Sequence, residues 1–128
     1  MTSRRALERR IQRHVVCERG DLPPGGLRSF RVGGRRIAVA CLADGSYRAV
    51  ADTCPHEMSS LANGRVEKML VSNEVGRIRA ADDKCVIICP WHNFEFELDT
   101  GQSPCEPDRL RIATYRAEVE EDEVVVYA

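Results

Sequence analysis

Apolar and polar residues alternate in short stretches along most of this chain, and turn-forming residues separate the stretches. Phe94, Phe96 and Leu98 alternate with Glu95, Glu97 and Asp99, the period-2 signature of a strand with one buried face. Val15 and Val16 mark a strand over His14–Glu18, and Pro23, Pro24 and two glycines make Asp21–Gly26 a loop. Leu27–Val32 and Arg35–Leu42 flank Gly33–Gly34, a pair suited to a tight hairpin turn with positive φ. Asp44–Gly45 repeats that signal before Tyr47–Ala51, which predicts a meander joined by two-residue turns. Ile112–Glu120 and Val124–Tyr127 form a closing pair around Glu121–Asp122. In the middle, Met58–Arg65 is polar and small, a loop with one helical turn. Met69–Ser72 and Arg77–Ala80 pair as an extra hairpin around Asn73–Gly76. Strands of this length and spacing predict an all-β fold, an antiparallel sandwich or partly open barrel.

With 128 residues the chain suits one compact domain. A formal net charge of −1 gives no reason to expect nucleic acid or an anionic membrane as partner. No apolar run approaches the roughly 20 residues that span a bilayer. Residues 1–13 carry Arg4, Arg5, Arg9, Arg10 and Arg13 and read as a solvated, partly helical basic arm. The arm lacks the apolar core and cleavage site of a secretory signal, which points to the cytoplasm. Six cysteines in such a chain are expected to be reduced thiols or metal ligands rather than disulfides.

The chemistry concentrates in two short segments, Cys54-Pro55-His56 and Cys89-Pro90-Trp91-His92. Two of the chain's three histidines follow a cysteine by two or three positions, each pair on one loop at the end of a predicted strand. Four soft-to-borderline ligands then converge on one object. Zinc accepts two thiolates and two imidazoles, but its sites usually space paired ligands more widely. In a 2Fe–2S cluster one loop can give its cysteine to one iron and its histidine to the other, which suits the tight spacing.

Both halves resemble the Rieske family, whose motif is Cys-x-His followed later by Cys-x-x-His. The likeness extends to Leu61-Ala62-Asn63-Gly64-Arg65-Val66, similar to the family's Leu-x-x-Gly-x-Val, and to Phe94–Gly101 after the second loop. It covers roughly Val15 to Val126. The resemblance implies a Rieske-like antiparallel sandwich or partly open barrel over 14–128, with a two-loop cluster-binding subdomain at 54–56 and 89–92. It implies one Rieske-type 2Fe–2S cluster, with Cys54 and Cys89 on the buried iron and His56 and His92 on the outer one. Pro104 and Pro107 resemble the family's third, proline-bearing loop.

The chain also departs from the pattern. Between His56 and Cys89 lie 32 residues, about twice the family's common separation, so 67–84 reads as an insertion. Met58 and Asn93 replace two glycines, and Met58 is the poorer substitute for a left-handed residue. High-potential members carry extra cysteines and two hydroxyl donors in these loops, where this chain has Met58, Trp91, Phe94 and Phe96. The expectation is therefore a cluster with no disulfide and no hydroxyl donors at those positions, at the low end of the Rieske range, about −150 mV. Cys17, Cys41 and Cys85 read as small core residues, Cys105 as part of the third loop, and His14 as structural.

The resemblance implies a one-electron carrier with no catalysis of its own, a ferredoxin between a flavin reductase and a terminal oxygenase. The oxygenase's own mononuclear iron needs two further histidines and a carboxylate, and outside the motif this chain has only His14. Alternatives are a small subunit held in a larger redox enzyme, of the nitrite reductase kind, and a zinc-binding structural module.

Overall fold

The computed structural model describes residues 11–55, 58–74, 77–90, 94–104 and 110–128. Most of the basic arm lies outside these, as do His56, Trp91, His92, Asn93, Cys105 and Pro107. The described residues form nine strands: β1 (Arg13–Glu18), β2 (Leu27–Val32), β3 (Arg35–Cys41), β4 (Tyr47–Ala51), β5 (Arg65–Glu74), β6 (Arg77–Ile88), β7 (Glu95–Glu97), β8 (Thr114–Glu120) and β9 (Glu123–Tyr127). All their pairings are antiparallel. No described helix is long and apolar enough to cross a membrane.

Six strands make one sheet in the order β1-β9-β8-β4-β3-β2, and its edge strands β1 and β2 approach one another, so the sheet curls nearly into a barrel. The other three form a separate sheet, β5-β6-β7. Beyond β1 and β9, Gln12 and Ala128 exchange a pair of backbone hydrogen bonds, each 3.0 Å.

Strand β3 shows how one sequence serves two cores. Ile37, Val39 and Cys41 face the barrel interior with Leu22, Val32, Tyr47, Ala49, Val124 and Val126. Ala38 and Ala40, on the opposite face, pack with Val50, Leu61, Ile87, Phe96, Leu98 and Ile112 against the small sheet. Two alanines on that face leave room for the large side chains of the second layer. Successive side chains of a strand point to opposite faces, and here both faces are buried.

The turns differ from the expected pattern in one place. Gly33 and Gly34 make the two-residue hairpin, with φ of 57° and 82°. Between β3 and β4, however, Leu42 N–H donates to Ser46 O and Gly45 N–H to Leu42 O, at 2.8 and 2.9 Å. That is a three-residue loop with left-handed Gly45 in its last position, not a two-residue turn. Strand β7 is shorter than the Phe94–Leu98 alternation predicts, because Leu98 opens a turn in which Gly101 N–H donates to Glu97 O. Strand β8 starts at Thr114 rather than Ile112, because Ile112 N–H is taken by Gly101 O.

The segment 67–84 forms the outer part of the β5–β6 hairpin. Leu70, Val71 and Ser72 pair with Ala80, Arg79 and Ile78, as expected from sequence. The ladder runs inward to Arg65↔Ile88 with irregularities after Lys68 and Ser72, so the hairpin that carries Cys89 at its base is also the one that extends outward.

Candidate metal centre

Cys54 and Cys89 lie just past the ends of β4 and β6, 35 positions apart, and both are fully buried in the core between the two sheets. The two loops close in the same way. Cys54 N–H donates to Ser59 O at 2.9 Å, and Cys89 N–H donates to Phe94 O at 2.7 Å. Each cysteine thus opens a loop whose carbonyl partner lies five residues on, with a strand pairing just outside it: Thr53↔Ser60 in the first, Ile88↔Glu95 in the second.

What supports each loop differs. Behind the first stands Asp52, a fully buried carboxylate. One oxygen receives Ser29 Oγ at 3.1 Å, Ser60 Oγ at 2.7 Å and Arg36 Nη2 at 3.0 Å. The other receives the Ala62 N–H at 2.8 Å. The Asp52 carbonyl accepts Leu61 N–H, and its own N–H donates to Arg36 O. A buried charge is tolerable only when paired and fully hydrogen-bonded, and here all four partners belong to segments that surround the first loop. The second loop rests instead on the β6–β7 ladder and on Phe96, which is fully buried beneath it.

Among the described residues, two contacts join the loops. Gly64 leaves the first loop against the carbonyl of Ile88, the residue before Cys89; a Cβ there would sit 1.8 Å from that oxygen. Only glycine permits so close an approach. The second contact is Ser59, whose Oγ lies 3.1 Å from Cys89 Sγ while its carbonyl holds Cys54. Met58, Phe94 and Phe96 carry no hydroxyl, as expected, but the neighbouring Ser59 brings one beside the Cys89 sulfur.

Met58 takes φ 59° and stays largely exposed. The methionine therefore adopts the left-handed backbone expected of the glycine it replaces, at a cost of about 1–2 kcal/mol. His56, His92 and Trp91 lie outside the described residues. Cys17 and Cys85 are half-buried thiols that burial pushes up, consistent with small core residues, and Cys41 is buried. His14 sits in β1 opposite Val126. Pro104 follows Ser103, whose buried hydroxyl has no hydrogen-bond partner among the described residues. Sequence reasoning missed Asp52 and Ser59, and met Gly64 only as the glycine of the Leu-x-x-Gly-x-Val stretch. An aspartate at the end of an apolar strand, two residues before Cys54, is a signal that could have marked the first.

The residues present fit an iron–sulfur group: two cysteines enclosed in one apolar core, Cys89 a free thiol, and a hydroxyl aimed at its sulfur. Comparison with known proteins agrees. The family model for the Rieske [2Fe-2S] domain matches residues 12–116. Ferredoxin CarAc of Metapseudomonas resinovorans is 33% identical over 112 residues, covering 87% of this chain and 89% of the relative. The structure of a complex of reduced oxygenase and oxidized ferredoxin in carbazole 1,9a-dioxygenase contains a chain 30% identical, with TM-score 0.66 over 90% of this chain and 92% of that one. A protein of Mycobacterium tuberculosis assigned as an NADH-dependent nitrite reductase small subunit shares the fold at 23% identity, with TM-score 0.75 over 92% and 96% of the two chains. Loops, core and likeness together make this chain a member of the Rieske [2Fe-2S] domain family, carrying that family's single cluster.

Proposed function

We propose that Cys54, His56, Cys89 and His92 hold the cluster and that the chain is a ferredoxin, taking one electron from a flavin reductase and delivering it to a terminal oxygenase. One observation carries the reading: two cysteines distant in sequence open loops with the same closure, fully buried in one core. When bound, the cluster supplies reversible one-electron chemistry. The chain's residues do the rest. Cys54 and Cys89 bind from the enclosed side, where Leu61, Ile87 and Phe96 exclude water. His56 and His92 would hold the cluster's other iron. Asp52 orients the first loop, and the β6–β7 ladder orients the second. Two neutral imidazoles in place of two thiolates raise the potential above that of all-cysteine clusters. The value is expected toward the low end of the Rieske range, about −150 mV.

Absorption and electron-spin resonance of the purified protein test the ligand set. The expected result is a red-brown protein with a rhombic signal on reduction, and a colourless Cys54→Ser variant. A normal Rieske spectrum in Cys54→Ser would overturn the assignment, and stoichiometric zinc in a colourless protein would favour the structural module. The second reading, a permanently bound subunit of a larger redox enzyme, draws on the long β5–β6 hairpin. Copurification with a larger enzyme at fixed stoichiometry would select it over a diffusing carrier.

A further inference from the structure

We propose that Ser59 tunes the centre, its hydroxyl donating a hydrogen bond across the two loops to the sulfur of Cys89 and favouring the reduced state. The inference rests on Cys89 being a cluster ligand, as proposed above. Its basis is the 3.1 Å separation of Ser59 Oγ and Cys89 Sγ, with both residues held by backbone bonds on either side.

The direction of the bond follows from chemistry. A thiol and a hydroxyl can each donate, so the separation alone leaves the donor open. A cysteine bound to iron is a thiolate and has no proton to give. In the loaded protein, then, Ser59 donates and Cys89 accepts. An added electron increases the negative charge on the ligand sulfurs, and a donor aimed at one of them stabilises the reduced form more than the oxidised form. Ser59 therefore raises the potential above the value the same ligands would have without it.

The seryl side chain is well placed for this because it has little freedom. The Ser59 carbonyl accepts Cys54 N–H, the Thr53↔Ser60 pairing closes the loop behind it, and Ser60 is held by Asp52. The buried Cys89 sulfur sits in a low-dielectric setting, where a hydrogen bond to a charge carries more weight than in water. Ser59 touches a ligand rather than the reacting partner, so it is a positioning and tuning residue.

Redox titration of the loaded Ser59→Ala protein, followed by absorbance, tests the proposal. The expected result is a wild-type Rieske spectrum with the reduction equilibrium weakened about fivefold, a shift of about 40 mV to more negative potential at 59 mV per tenfold. An unchanged potential with the spectrum intact overturns the tuning role and leaves the ligand assignment standing. If the wild-type protein itself lacks a Rieske spectrum, the ligand assignment fails, and this proposal with it. Should Ser59→Ala not load, Ser59→Thr and Ser59→Val carry the test, since they have the same shape and differ in the hydroxyl. The threonine variant must then have the higher potential, and equal potentials overturn the proposal.

Discussion

The two cysteine loops share a closure and differ in everything behind it. In both, the cysteine N–H reaches a carbonyl five residues on. The first loop then depends on one side chain, the buried Asp52 with its four partners. The second depends on repeated backbone pairing along β6 and β7 and on the packing of Phe96. A loop held by a single polar hub fails at one position, whereas a loop held by a ladder spreads the load over many bonds. Substitutions can break or sharpen that contrast.

The largest effect is expected at Gly64, where the loops touch. Gly64→Ala forces a Cβ into the Ile88 carbonyl, so both loops must shift; a loss of about 4 kcal/mol or more in unfolding experiments is expected, with no cluster loaded. Next is Asp52→Ala, which leaves the Ala62 N–H and two hydroxyls unpartnered and frees Arg36. A cost of about 3 kcal/mol in denaturant unfolding is expected, with cluster release to a chelator much faster than in the wild type. Phe96→Leu should cost about 1.5 kcal/mol and leave the chelator release rate close to wild type, since the ladder still places Cys89. Equal release rates in the Asp52 and Phe96 variants would dissolve the contrast. The smallest effect, about 0.5 kcal/mol, is a gain from Met58→Gly, which relieves the left-handed backbone beside the first loop. Its thermal unfolding should rise by a degree or more, as about 0.5 kcal/mol implies for a domain of this size.

Much of this molecule could be read from its residues because the relevant signals are local. Alternation over Phe94–Leu98, the glycine pair at 33–34 and the two cysteine–histidine segments each speak within a few positions. Strand existence and the family followed from them. The failures were also physical. The β3–β4 loop gained a residue because Gly45, not Asp44–Gly45 together, supplies the left-handed step. Met58 was expected to resist a glycine's backbone, yet the closures around it hold it there. Asp52 and Ser59 escaped notice because their partners are remote: Ser29 lies 23 positions from Asp52, and Cys89 lies 30 from Ser59. Nothing in a short window distinguishes a serine that reaches a distant sulfur from one that faces water.

The pairing of Gln12 with Ala128 has a mechanical consequence. Those residues are hydrogen-bonded neighbours at the open end of the β1–β9 ribbon. A force applied between positions 12 and 128 therefore peels that ribbon apart one bond at a time. It does not shear the ribbon as a block, so the molecule should yield at low tension when pulled from these points. Pulled instead between β2 and the β5–β6 hairpin, it would have to separate two packed layers, and the same protein would register as far stiffer.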